Sequence, residues 1–224
     1  MALAQIVAES IPQALHLGLP RAQPKMRVAD VVVQTLAELG VNTYYGIPGG
    51  AISTVYDALL DQKGVRVINT RHETGAVFMA MGHSRAGGGL PCVLMTSGPG
   101  ITNALTGLAA AHADGIPLIA IGGEVPRKNF GRGALQEGSR YQLDILGMAR
   151  SVTKFCAELS NPRAATTTIR RAVATALSGR QGPVLISLPL DVANERVAPT
   201  RAPLHVSTSF DLDQDTIAAV AEAL

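Results

Sequence analysis

The chain has 224 residues, 47% of them hydrophobic and 16% charged, with a formal net charge of +2. This composition supplies a sizeable core and excludes a disordered segment. The basic residues form no run, Trp is absent and aromatics are only 4%, so a nucleic-acid surface, a base-stacking platform and an electrostatic membrane surface all lack support.

Residues 1–26 read as an extension outside the fold. Three prolines and one glycine fall within 10–24, and no charged leader precedes an apolar core. No uninterrupted apolar run is long enough to span a membrane. Val28, Val32, Leu36 and Leu39 sit at helical spacing, and Gly40 ends the run. Residues 43–45 predict a strand leading into the turn Gly46-Ile47-Pro48-Gly49-Gly50. A helix over 51–60, a strand over 65–68 and a helix over 73–85 follow. Residues 92–95 form an apolar strand of the kind found in a parallel sheet covered on both faces. After the Gly98-Pro99-Gly100 turn come a helix over 101–112 and a strand over 118–121. Between 122 and 150 the periodicity fails; a polar stretch of that length, rich in Gly and Arg, points to a functional loop. A strand over 152–155, a helix over 161–177 and a strand over 184–188 complete the series.

Repeated strand–helix alternation predicts the α/β class, a doubly wound, mostly parallel sheet with helices on both faces. The domain runs over 27–197. Residues 198–224 read as a linker with Pro199 and Pro203, followed by the start of a truncated next domain in helical pattern from Thr216.

Ligands in such sheets bind outside the C-terminal ends of the strands. Four features land there: the turn at 46–50, Glu73, the turn at 97–100 and the loop at 122–150. Glu73 is the most pointed. It follows the apolar Val65, Val67 and Ile68 and opens a helix through Ala76, Val77 and Phe78. A carboxylate with little access to water finds a partner or takes up a proton. Glu73 is therefore a candidate for a carboxyl group held dry to share a proton with a ligand. The alternative is an acid that favours the positive end of a helix dipole.

Other motifs narrow the chemistry. Ser97-Gly98-Pro99-Gly100 has the form of an anion-binding turn, but Pro99 removes an amide donor and neither a G-x-x-x-x-G-K-[ST] nor a G-x-G-x-x-G run occurs. Close packing accounts for that turn equally well. Ala76 stands where H-E-x-x-H needs its second His, and Ser97 lacks a G-x-S-x-G frame. His83 and His112 read as ordinary helix residues, and Gln136-Glu137 as solvated loop. Cys92 and Cys156 form no C-x-x-C pair and read as small buried hydrophobes, which fits a reducing cytoplasm.

Taken in order, Tyr45-Gly46-Ile47-Pro48-Gly49-Gly50-Ala51, Arg71-His72-Glu73, Thr96-Ser97-Gly98-Pro99-Gly100-Ile101-Thr102-Asn103, Asp114-Gly115-Ile116-Pro117, Gln136-Glu137, Thr153-Lys154 and Gly182-Pro183-Val184 resemble the N-terminal, pyrimidine-binding domain of thiamine diphosphate enzymes, the acetolactate synthase group above all. The resemblance covers about residues 27 to 195 and is more specific for the superfamily than for the reaction. It implies that Glu73 hydrogen-bonds N1′ of the cofactor's aminopyrimidine and favours the imino tautomer, which removes the thiazolium C2 proton. The ylid then attacks a 2-oxo acid such as pyruvate, which loses carbon dioxide. The two-carbon unit passes to an acceptor carbonyl. It further implies that Pro48 and Gly49 line the reaction side and that Thr96, Pro99 and Asn103 contact the cofactor. Gln136 would face substrate, Leu135 the acceptor pocket, and Lys154 the substrate entrance.

Leu135 stands where this group usually carries Phe, Glu124 replaces a usual Gln, and 138–142 is longer than the usual connection. The Gly-Asp-Gly signature that holds diphosphate and Mg²⁺ in the family is absent. The resemblance thus implies a diphosphate-binding domain supplied in cis or by a partner chain, no metal ligands in this chain, a homodimer through the helices around Glu73 and Ile101, and little turnover alone. Two rivals remain: another decarboxylase or acyltransferase of the superfamily, and a non-catalytic α/β assembly module.

Overall fold

Cys92, Val93, Leu94 and Met95 are all fully buried in the computed structural model of the chain. Alternate side chains of a strand point to opposite faces, so such a strand needs cover on both sides. The structure describes residues 24–200 and 214–223. Most of the expected extension and linker lies outside them.

The main sheet has six parallel strands: β2 (Thr43–Gly46), β3 (Arg66–Asn69), β4 (Cys92–Met95), β5 (Leu118–Glu124), β6 (Phe155–Glu158) and β7 (Pro183–Pro189), in the order β3-β2-β4-β5-β7-β6. On one face, Tyr44, Cys92, Leu94, Ile119, Ile121 and Ile186 pack against α1 (Val28–Glu38), α2 (Ser53–Asp61), α6 (Ala165–Leu177) and α7 (Leu190–Asn194). On the other, Val93, Met95, Ala120 and Leu185 pack against α3 (Glu73–Arg85), α4 (Pro99–Asp114) and α5 (Ile145–Ala149). Each large apolar side chain so buried contributes about 1.5–3 kcal/mol. The chain is therefore a doubly wound α/β domain. A separate antiparallel pair, β1 (Met26–Arg27) with β8 (Arg196–Val197), ties the two ends of the domain together. A further helix, α8 (Gln214–Ala223), falls where helical spacing resumes.

Several elements differ from expectation for identifiable reasons. Strand β5 runs on to Glu124, three residues beyond the predicted end. Its Gly122 and Gly123 are not loop glycines. A Cβ at Gly122 would lie 2.3 Å from Cδ1 of Ile101, and one at Gly123 would lie 2.3 Å from the Ala51 carbonyl oxygen. The helix expected over 51–60 opens with a 3₁₀ turn, Gly50–Ile52, before α2 begins. The irregular loop contains a 3₁₀ turn at Arg127–Asn129 and the short helix α5. Strand β6 begins at Phe155, where the expected strand over 152–155 ends; Val152 N–H and the Thr153 hydroxyl instead donate to the Ala149 carbonyl and close the end of α5. Helix α7 directly follows β7 and carries no length of its own for a periodicity to show.

Candidate functional site

Parallel strands place the loops after β2, β3 and β4 side by side, and the C-terminal edge of the sheet is where the chain's special residues collect. After β3, His72 caps α3: its Nδ1 accepts the N–H of Thr74 at 3.2 Å. Glu73 is then the first residue of the helix and is 7% exposed. It is buried and also sits at the positive end of a helix. Its Oε2 accepts the Nδ2 N–H of Asn103, one helix over, at 3.0 Å. The Thr74 hydroxyl donates to the Asn103 carbonyl, so the α3 start and the first turns of α4 are latched twice. No hydrogen bond from a described residue reaches Glu73 Oε1, which faces Gly100; a Cβ there would stand 3.5 Å from that oxygen.

The turn after β4 closes the other side. Gly98 caps α4 with φ 53° and ψ −109°, a conformation outside the regions open to L-residues. Pro99 is the first residue of α4, where its missing N–H costs nothing. Thr96 stands against both neighbouring glycines. A Cβ on Gly49 would lie 2.7 Å from Thr96 Cβ, and one on Gly100 would lie 2.9 Å from Thr96 Cγ2. The Gln136 carbonyl oxygen presses on Gly98, 2.6 Å from where a Cβ would be. Gly49, Thr96, Gly98, Gly100, Glu73, Asn103 and Gln136 thus form one contiguous group at the C-terminal edge of the sheet. Pro48 precedes Gly49 on the exposed part of the β2 turn, and Leu135, 85% exposed, precedes Gln136.

Lys154 is not brought to this group. It precedes β6 at the opposite, N-terminal edge of the sheet, with its backbone N–H on the Pro183 carbonyl. Its ammonium donates to the carbonyls of Thr175 and Ser178 at 2.6 Å each, at the C-terminal end of α6, where a cation suits the helix dipole. Within this chain the expected substrate-entrance residue is a helix-capping residue. Ile101 is fully buried over Gly122. The exposed apolar residues of α3 are Phe78 and Met79.

One residue that the sequence did not single out also shapes this group. Thr74 supplies the latch to Asn103. Glu137, expected in a solvated loop, is instead buried to 2% exposure, as is Glu124 to 1%, behind the exposed Gln136. An acid closing the apolar run of β5 was the signal available for Glu124. Behind the loop lies a cavity of about 330 Å³, separate from the Glu73 cleft and lined by Glu124, Phe130, Ser139, Arg140, Asp144 and Glu158. Burial raises the Glu124 and Glu158 carboxyls above the ordinary range. For Glu158 the raised value in the folded chain makes stability greatest at acid pH and lost as pH rises through it. Glu158→Gln should therefore melt higher than the unaltered chain near neutral pH and match it below about pH 4, where an unfolded Glu is also protonated. Thermal melts across pH check this. Cys92 is buried with its thiol pushed up by burial, and both cysteines are free.

The family model described as thiamine pyrophosphate enzyme, N-terminal TPP binding domain, matches residues 26–145. The chain belongs to this family. The matched stretch carries the cleft whole, from the strand before α1 through Glu73, Asn103 and Gln136. Curated relatives that the chain is similar to include acetolactate synthases. The large subunit from Haemophilus influenzae is 40% identical over 170 residues, covering 76% of this chain and 29% of the relative. The isozyme 2 large subunit of Escherichia coli is 43% identical over 167 residues, covering 75% and 29%. The mitochondrial catalytic subunit of Saccharomyces cerevisiae is 38% identical over 197 residues, covering 85% and 28%. The chain spans under a third of the length of each. No described helix is long and apolar enough to cross a membrane.

Proposed function

We propose that this chain binds the aminopyrimidine half of thiamine diphosphate for an acetolactate synthase-like carboligase or decarboxylase of 2-oxo acids such as pyruvate. The observation that carries the reading is Glu73: a buried carboxyl group, fixed through one oxygen by Asn103 and offering the other to a glycine-lined cleft. This donor and acceptor set fits a flat, nitrogen-bearing ring. When bound, the cofactor supplies the carbanion chemistry.

The chain's own groups divide the remaining work. Glu73 holds a proton at the ring nitrogen, and its low exposure keeps that proton from water. Asn103 fixes the carboxyl plane, while Gly49, Thr96 and Pro99 shape the floor and edge of the ring slot. Gln136 faces substrate from across the Gly98 turn, and the exposed Leu135 borders the acceptor pocket. Among the described residues no group of three or more His, Cys, Asp or Glu could hold a metal ion. Mg²⁺ and the diphosphate are assigned to a second domain, in cis or on a partner chain. Phe78 and Met79 on α3 supply the apolar surface for a homodimer in the cytoplasm.

Calorimetric titration with thiamine diphosphate and Mg²⁺, followed by a pyruvate turnover assay, tests the proposal. The 224-residue chain should bind weakly and turn over nothing, and adding a diphosphate-binding domain should restore both. Rapid turnover by the chain alone, or no gain from the added domain, would refute it.

A further inference from the structure

We infer that Glu124, a residue outside the cofactor cleft, is a positioning residue that sets the backbone of Gln136 by holding the Gly138 peptide against the end of β5. The link from Gln136 to substrate rests on the function proposed above; the clamp itself rests on geometry alone.

Gln136 has φ 61°, one of only two described non-glycine residues with positive φ. That conformation is sparsely populated and persists only where the surroundings over-determine it. Two buried carboxyl groups supply the constraint. Glu124 Oε1 accepts the N–H of Val125 at 2.8 Å, and both its oxygens accept the N–H of Gly138 at 3.1 Å. Glu137 Oε1 accepts the N–H of Gly131 at 2.7 Å and the hydroxyl of Ser139, joining the loop before and after Gln136. The Gly138 carbonyl accepts the N–H of Ile145 at 3.0 Å, which ties the other side of the same residue to α5. A Cβ on Gly138 would lie 2.6 Å from Glu124 Oε2, so the peptide lies directly on the carboxyl group.

Burying an acid is costly, and a carboxyl is tolerated where acceptor-only chemistry is needed. The groups facing Glu124 here are backbone N–H donors, and they converge from two segments. The result is a chain of contacts from the tip of β5 through Gly138 to Gln136. From there the Gln136 carbonyl reaches Gly98, the cap of α4, whose next turn carries Asn103. Glu124 therefore acts on the cleft without touching it.

The test compares Glu124→Gln with Glu124→Leu in the isotope-labelled chain. Both changes are close in size and remove the charge, but only Gln retains an acceptor. In Glu124→Leu, exchange of the Gly138 amide should quicken about tenfold or more, and the amide resonances of Gln136 and Gly98 should move, as expected for losing a buried hydrogen bond. Protection in β4 and β7 should stay unchanged. In Glu124→Gln, Gly138 exchange should stay within about threefold of the unaltered chain, because its amide oxygen still accepts. Unchanged Gly138 exchange in Glu124→Leu would overturn the inference, as would an equal loss of protection throughout the sheet. Should Glu124→Leu fail to fold, the unaltered chain decides the matter. A scalar coupling across the hydrogen bond from the Gly138 nitrogen to the Glu124 carboxyl carbon is expected, and its absence would overturn the clamp. Failure of thiamine diphosphate to bind the chain assembled with a diphosphate-binding domain would sink the proposed function instead, while these exchange and coupling results still decide the clamp.

Discussion

Glu73→Gln, placed in an assembly that includes the diphosphate-binding domain, should lower kcat for pyruvate by about a thousandfold, within the 10²–10⁴ range of a positioned proton-transfer group. The substitution keeps the shape of the side chain. Its amide oxygen can still accept from Asn103, which holds the existing 3.0 Å bond. The group then offered to the cleft is an NH₂ that can neither take up nor release a proton. If Glu73 were only an acid favouring a helix N-terminus, the loss would appear as stability, about 0.3–1 kcal/mol, with kcat unchanged. The two roles separate when steady-state rates and melting temperatures are measured together. A large fall in kcat with a nearly constant melting temperature supports proton sharing. Retention of kcat within tenfold rules it out.

The residues that were legible in the sequence share a physical cause. Helix α3 and strand β4 begin and end where expected because local signals agree: His72 caps the first, and an unbroken apolar run defines the second. Glu73 could be read because a charge opens an apolar helical run, although the strand before it, β3, is a largely exposed edge strand with Val67 39% exposed. The positions that escaped are governed by tertiary contact. Gly122 and Gly123 look like loop residues until Ile101 and Ala51 are seen above them. Lys154 fits a family motif, yet in this chain its ammonium is engaged at the end of α6. The conformation of Gln136 has no local signature at all, since Gln carries no preference for positive φ. It is imposed by Glu124 and Glu137 from 12 residues upstream and one downstream, and only folded coordinates join the three.

These contacts also explain why the site rests on loops without being loose. Each loop end is fixed by a group from another element: His72 on Thr74, Asn103 on Glu73, Glu124 on Gly138. Ordering a carboxyl group in this way before any ligand arrives reduces the entropy lost on binding. The cleft edge is consequently prearranged by side chains from α3, α4 and β5, three elements buried in the same core.

Gly98→Ala should destabilise the domain by about 2–4 kcal/mol, combining a left-handed backbone penalty of about 1–2 kcal/mol with displacement of its neighbour. At φ 53° and ψ −109° an alanine has no relaxed conformation, and its Cβ would meet the Gln136 carbonyl oxygen at 2.6 Å. That neighbour is backbone, held in turn by Glu124 and Glu137, so it cannot swing aside as a flexible side chain would. The strain must go into the α4 cap, the Gln136 loop or both. For a domain of this size the melting temperature should fall by roughly 5–15 °C. Weaker thiamine diphosphate binding should accompany it, because the α4 start carries Asn103 and with it the orientation of Glu73. Gly40→Ala, also at positive φ but with nothing within 4 Å of the added carbon, supplies the control. It should show the backbone penalty alone and leave binding unchanged. Equal melting temperatures and equal affinities for the two variants would mean that the Gly98 turn bears no load from Gln136.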